Sequence, residues 1–128
     1  MMTMRPGMKI FACFGSMTIA LGGYAIAAPQ GAAAFKSAIA DPIRPPEDVA
    51  RDADRKPAEL LAFAGVRSGM SIAELAPGGG YFTRILTSAV GSKGHVYAIT
   101  AKPSPGVQAL AGQRSNLTVA GGSPGTIP

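Results

Sequence analysis

The residues of this chain whose types and spacing could do chemistry are a carboxylate and, four positions on, three successive glycines. Glu74 is followed by Ala76 and Pro77, then by Gly78, Gly79 and Gly80, with Tyr81 opening the next pattern. Glycine adopts backbone angles that a Cβ forbids and lets a ligand approach the main chain closely. A helix beginning just after the glycines turns its free N–H groups and the positive end of its dipole towards the same place, which suits a carboxylate or phosphate. Glu74 brings the opposite charge. Together these residues suit a ligand that is anionic at one point and carries an ammonium or hydroxyl group at another. Glycine-rich turns are also ordinary connections, so the surrounding elements decide what this one means.

Those elements are legible. Residues 70–75, MSIAEL, read as a strand whose apolar side chains Met70, Ile72, Ala73 and Leu75 lie on both faces, as in a strand buried between two helical layers. Beyond the glycines, Phe82, Ile85, Leu86, Ala89 and Val90 fall at i, i+3, i+4, i+7 and i+8, the spacing of one apolar helix face. Gly91 and Gly94 end that helix, and residues 95–100, HVYAIT, form a second strand rich in β-branched and aromatic side chains. Strand, turn, helix and strand together have the length of a βαβ crossover joining parallel strands. Upstream, Pro57 opens a short helix containing Leu60, Leu61 and Phe63 and stopped by Gly65. Downstream, residues 107–111 suggest one helical turn and residues 117–120 a third strand.

The remaining segments offer less. Residues 28–40 read as a loose arm or a marginal helix. Pro42, Pro45 and Pro46 impose an extended entry on residues 41–56. Arg44, Arg51, Arg55 and Lys56 are then expected to face Asp48, Asp52 and Asp54 in solvated surface pairs rather than in a cleft. Tyr97 is expected in the core. His95, the single histidine, stands at a strand end and reads as structural.

A chain of 128 residues with 47% hydrophobic residues fits one small domain. Much of that apolarity lies at the N-terminus, where Arg5 and Lys9 precede an uncharged stretch that reaches small residues at Ala25 and Ala27. Residues 1–27 therefore read as a signal peptide cut after Ala27, which implies export, most simply to a periplasm. An uncleaved anchor helix is the alternative. Cys13 is the only cysteine and lies inside that segment, so the remainder has neither disulfides nor thiolate chemistry. The net charge of +5 becomes +3 without Arg5 and Lys9, and the remaining basic residues are scattered, so no nucleic-acid partner is expected.

With these pieces in order, the sequence resembles a class I S-adenosylmethionine-dependent methyltransferase, and more narrowly an exported bacterial family of predicted methyltransferases. Residues 51–99 carry the likeness, from RDADRKPAELLAF through AELAPGGGYFTRIL to the second strand. The resemblance implies an α/β fold: the N-terminal half of a Rossmann-like, doubly wound parallel sheet in three αβα layers, incomplete because the chain stops after its third strand. It implies S-adenosylmethionine as cofactor and methyl transfer to a small-molecule acceptor. Glu74, Gly78, Gly79 and Gly80 match the motif that meets the cofactor's methionine end, and Tyr81 adjoins it. Ala76 stands where the superfamily usually has its first motif glycine. Thr100 stands where many members place an acidic residue for the ribose hydroxyls, and is carried over as a possible cofactor contact.

The implied organisation is residues 1–27 as signal, 28–56 as arm and charged lead-in, 57–120 as partial methyltransferase domain, and 121–128 as tail. Such a half-sheet leaves the first strand with an unpaired edge, which invites self-association. A non-catalytic nucleotide- or metabolite-binding module, or a non-functional fragment, are the other functional readings. A nicotinamide-binding domain fits less well, because its acidic residue follows the second strand instead of preceding the glycines.

Overall fold

The computed structural model describes Ala28 and residues 30–122; the expected signal segment and most of the tail lie outside the described residues. A 3₁₀ turn, Ala32–Phe35, leads into four short helices: α1, Lys36–Ile39; α2, Pro46–Val49; α3, Asp52–Arg55; and α4, Pro57–Phe63. There follow β1, Ser71–Leu75; α5, Tyr81–Val90; β2, His95–Ile99; α6, Pro105–Gln113; and β3, Leu117–Ala120. The three strands form one parallel sheet in the order β1-β2-β3, with Ser71 opposite His95 and Val96 opposite Leu117 at the starts of the two ladders. Parallel neighbours require crossovers, and α5 and α6 supply them. The expected α/β fold is present, with α6 running to nine residues where the sequence suggested a single turn. Ser104 extends it by accepting a hydrogen bond from the Val107 N–H at 3.3 Å.

Alternation along the strands separates the two sheet faces. On one face Val96, Ala98 and Leu117 are buried and join Ile85, Leu86 and Val90 of α5, Val107 and Leu110 of α6, and Leu61 of α4 in one core. Fully buried side chains such as Ile85 and Val90 contribute about 1.5–3 kcal/mol each. On the opposite face Ser71, Ala73 and Thr118 are exposed, and Leu75 and Tyr97 keep 51% and 39% of their surface. Among the described residues, the sheet and one helical layer are thus present of the three layers expected. This corrects the readings of β1 as buried on both faces and of Tyr97 as core, because the side chains that would cover them are not among these residues. His95 accordingly takes a structural role, its Nε2 lying 2.8 Å from Thr118 Oγ1 on the neighbouring strand.

Two junctions hold the crossover tightly. Asn116 donates from Nδ2 to the carbonyls of Thr87 and Gly91 at 2.8 and 2.9 Å, satisfying the C-terminal end of α5. Gly94 sits so close to α5 that a Cβ would lie 2.5 Å from Val90 Cβ and 2.6 Å from the Met70 carbonyl oxygen.

Of the two readings of residues 28–40, the helical one holds for residues 32–39, which form a 3₁₀ turn and α1 instead of a loose arm. Phe35 and Ala38 are buried in the same core. Asp41 then staples the segment down: it accepts from the Ile43 N–H at 3.0 Å, from Ser88 on α5 and from Arg114 after α6. Burial opposes ionisation of Asp41, but the bonds from Ser88, Ile43 and Arg114 outweigh it and hold the carboxyl below the usual aspartate range. Among the described residues no helix is long and apolar enough to cross a membrane.

Candidate functional site

The chain bends sharply just beyond Glu74. Ala76 still donates to the Ile99 carbonyl at 3.0 Å, one step past the β1–β2 ladder, but its φ is +54°. A left-handed alanine is strained by about 1–2 kcal/mol, so the position behaves as one suited to glycine. The turn closes through the Gly80 N–H on the Pro77 carbonyl at 2.9 Å, with Gly78 at φ +56° and Gly80 at φ +88°. A Cβ on Gly78 or Gly79 would meet nothing within 4 Å, whereas one on Gly80 would press on Val107 Cγ2 at 3.1 Å. Gly78 and Gly79 therefore keep open space beside the backbone. Gly80 serves packing against α6.

Glu74 is half-buried on the face of β1 that α5 covers, and Thr83 donates to its Oε2 at 2.7 Å. Burial raises its pKa, and the Thr83 bond pulls the other way less strongly. A carboxylate in that position gains by acquiring a cation or hydroxyl donor.

The other wall comes from the charged lead-in, and here the structure overturns the expectation of solvated surface pairs for Arg44, Asp48 and Asp52, while Arg51, Asp54, Arg55 and Lys56 are exposed. Arg44 and Asp48 are each only 5% exposed. Arg44 donates to both oxygens of Asp52, at 2.9 and 2.5 Å, and to the Ile39 carbonyl at 2.6 Å. The Tyr81 hydroxyl donates to Asp52 Oδ1 at 2.5 Å. Burial, with the neighbouring Asp52 charge adding to it, pushes the Tyr81 phenol up to about 12. Arg84 of α5 donates to Asp48 at 2.7 Å and to the Gly79 carbonyl at 3.1 Å, linking the lead-in to the glycine turn. The Tyr81 ring carries the guanidinium groups of Arg44, Arg51 and Arg55 at 5.4, 5.5 and 4.7 Å from its centroid. That packing fixes the start of α5 against α2 and α3.

Between these walls lies a cleft of 740 Å³, running from the lead-in past α4 to β1 and the glycine turn. Of the residues singled out from the sequence, Glu74, Ala76, Gly78, Gly79 and Tyr81 line it. Gly80 lies behind the turn. Thr100 is elsewhere: its N–H continues the sheet to the Ala120 carbonyl at 3.0 Å, and its hydroxyl accepts from the Lys102 N–H at 3.3 Å. Sequence reasoning missed Asp48, Arg51 and Arg55, which line the cleft on the lead-in side. Their signal was available in the spacing, because Asp48, Arg51, Asp52 and Arg55 fall at i, i+3, i+4 and i+7 and make one stripe.

No family model matches the sequence, and no curated protein matches it. A solved structure does: a SAM dependent methyltransferase from Aquifex aeolicus, with a TM-score of 0.55 and 25% sequence identity, the match covering 72% of this chain and 49% of that one. The chain thus spans about half the length of that protein. The likeness supports the class I methyltransferase fold for the sheet and its crossovers.

Proposed function

We propose that this chain binds S-adenosylmethionine in the cleft beside β1 and serves methyl transfer to a small-molecule acceptor. One observation carries the reading: a half-buried carboxylate, Glu74, and an open glycine turn face a common cleft at the carboxyl end of a parallel strand. That is where open α/β sheets bind their ligands. The volume of 740 Å³ lies within the range of small-molecule sites, about 300–1,000 Å³. The space beside Gly78 and Gly79 admits a ligand against bare backbone. The solved methyltransferase that shares the fold supports the same cofactor.

In this reading S-adenosylmethionine, when bound, supplies an electrophilic methyl group on a sulfonium. Glu74 holds the ammonium or hydroxyl side of the molecule, and its elevated pKa means that such a partner draws out its ionised form. Gly78 and Gly79 leave room for the chain of the amino-acid moiety. Leu60, Leu61 and Phe82 line the apolar part of the cleft. The protein's contribution is then chiefly orientation of two reactants. The basic start and small-residue end of residues 1–27 support export of the chain, and the position of β1 at the sheet edge among the described residues supports pairing with a second chain.

Isothermal titration calorimetry with S-adenosylhomocysteine tests the reading. Binding by the wild type, weakened tenfold or more by Glu74→Ala, is the expected result. Absence of binding, or binding indifferent to Glu74, contradicts it.

A further inference from the structure

The ion pairs of the cleft do not balance locally. Asp52 is matched by Arg44 and Asp48 by Arg84, at 2.5 and 2.7 Å. Arg51 reaches only the far oxygen of Asp48, at 3.8 Å, with 49% of its side chain exposed. Arg55 makes no ion pair among the described residues and rests on the Tyr81 ring, 4.7 Å from its centroid. Two guanidinium groups thus stand in the lead-in wall with their charge largely uncompensated, while Glu74 lines the same cleft from the strand. The cleft is positive on one side and negative on the other.

The backbone fixes this polarity. Lys56 adopts a left-handed φ of +44°, which ends α3 one residue after Arg55 and starts α4 at Pro57. Buried Arg44 and Tyr81, joined through the partly buried Asp52, anchor α3 to the start of α5. Arg55 is therefore presented from a short helix bonded to the same element that follows the glycine turn. Guanidinium groups match carboxylates in a two-pronged geometry that a lone ammonium cannot reproduce.

We propose that Arg51 and Arg55 form a carboxylate subsite, which takes the carboxylate of the ligand's amino-acid moiety while Glu74 takes its ammonium. The proposal rests on the cofactor reading above and goes beyond it by assigning recognition of the zwitterion to the lead-in. Nothing in the glycine turn requires the two arginines. Their placement in the cleft, with only the 3.8 Å pair from Arg51 to Asp48 between them, leaves both guanidinium groups available to an anion.

The test compares S-adenosylhomocysteine with S-adenosyl-3-thiopropylamine, which is identical except that it lacks the carboxylate. Calorimetry is run on the wild-type chain, on Arg55→Lys and on the double variant R51Q/R55Q. The wild type is expected to prefer S-adenosylhomocysteine by roughly tenfold to hundredfold, the range spanned by charge-assisted hydrogen bonds. In R51Q/R55Q that preference falls to within about twofold, while affinity for the decarboxylated compound is kept. Arg55→Lys retains part of the preference. Because the readout is a ratio of two affinities on one protein, a general loss of stability does not mimic it. A wild type without the preference, or a double variant that retains it, overturns the subsite and leaves the cofactor reading standing. Failure of the wild type to bind either compound overturns both.

Discussion

Replacing Asp52 by alanine tests whether the lead-in is welded to the glycine turn or merely lies on it. Asp52 accepts two hydrogen bonds from Arg44 and one from Tyr81, and its removal leaves Arg44, whose side chain is 0% exposed, with only the Ile39 carbonyl. Stripping one partner from a buried pair costs about 3–5 kcal/mol. The Asp52 side chain is itself 20% exposed, so water replaces part of what is lost and the lower end applies, about 3 kcal/mol. A solvated surface pair would cost about 0–1 kcal/mol. A domain of this size has only about 5–15 kcal/mol in total, so the difference is large. Urea unfolding followed by circular dichroism should show the midpoint falling by roughly 1–3 M with an unchanged slope. Tyr81→Phe keeps the ring and its guanidinium neighbours and should lose about half as much, from one hydrogen bond to a charged group. An Asp52→Ala chain within about 0.5 kcal/mol of wild type would refute the weld and restore the surface reading.

Further expectations come from the same geometry. Arg44 holds Asp52 below the usual range, and Asp41 is held there against its own burial by Ser88, Ile43 and Arg114. Depressed carboxylates stabilise the fold above the ordinary value of 3.8, and this contribution disappears as pH falls through their lower folded-state values. Acid unfolding of Asp52→Asn should lack its share of that transition. Glu74 has the opposite sign: burial raises its pKa, so its relative contribution is complete below the ordinary value of 4.5 and is lost as pH rises through the folded value. Glu74→Gln should flatten the stability profile of the free protein above that point, as read by thermal melts across pH. Gly94→Ala should cost about 2 kcal/mol or more in urea unfolding, since its Cβ would collide with Val90 and with the Met70 carbonyl. Ala76→Gly should gain about 0.5 kcal/mol in the same assay, left-handed strain being relieved against added chain entropy.

What the sequence made legible was local. The period of Phe82, Ile85, Leu86, Ala89 and Val90 reports one buried face, and α5 buries it. The strand–glycine–helix–strand order predicted the parallel pairing of β1 with β2. The lead-in was not legible, because a charged residue beside prolines has the same composition whether it is solvated or buried. What decides is distance along the chain: Asp48 meets Arg84 36 residues away, and Tyr81 meets Asp52 29 residues away. No local period encodes such pairs, although the stripe from Asp48 to Arg55 marked the face that makes them. Tyr97 failed for a different reason. A strand pattern says that both faces are apolar, and only the neighbouring layer says whether each is covered.

The most direct measurement of the cleft's role is a crystal structure of the chain grown with S-adenosylhomocysteine. Density for the amino-acid moiety between Glu74 and the Gly78–Gly79 backbone, with the carboxylate turned towards Arg51 and Arg55, is the expected result. Density for the nucleoside anywhere else on the chain, or a cleft that stays empty at saturating ligand, would contradict it.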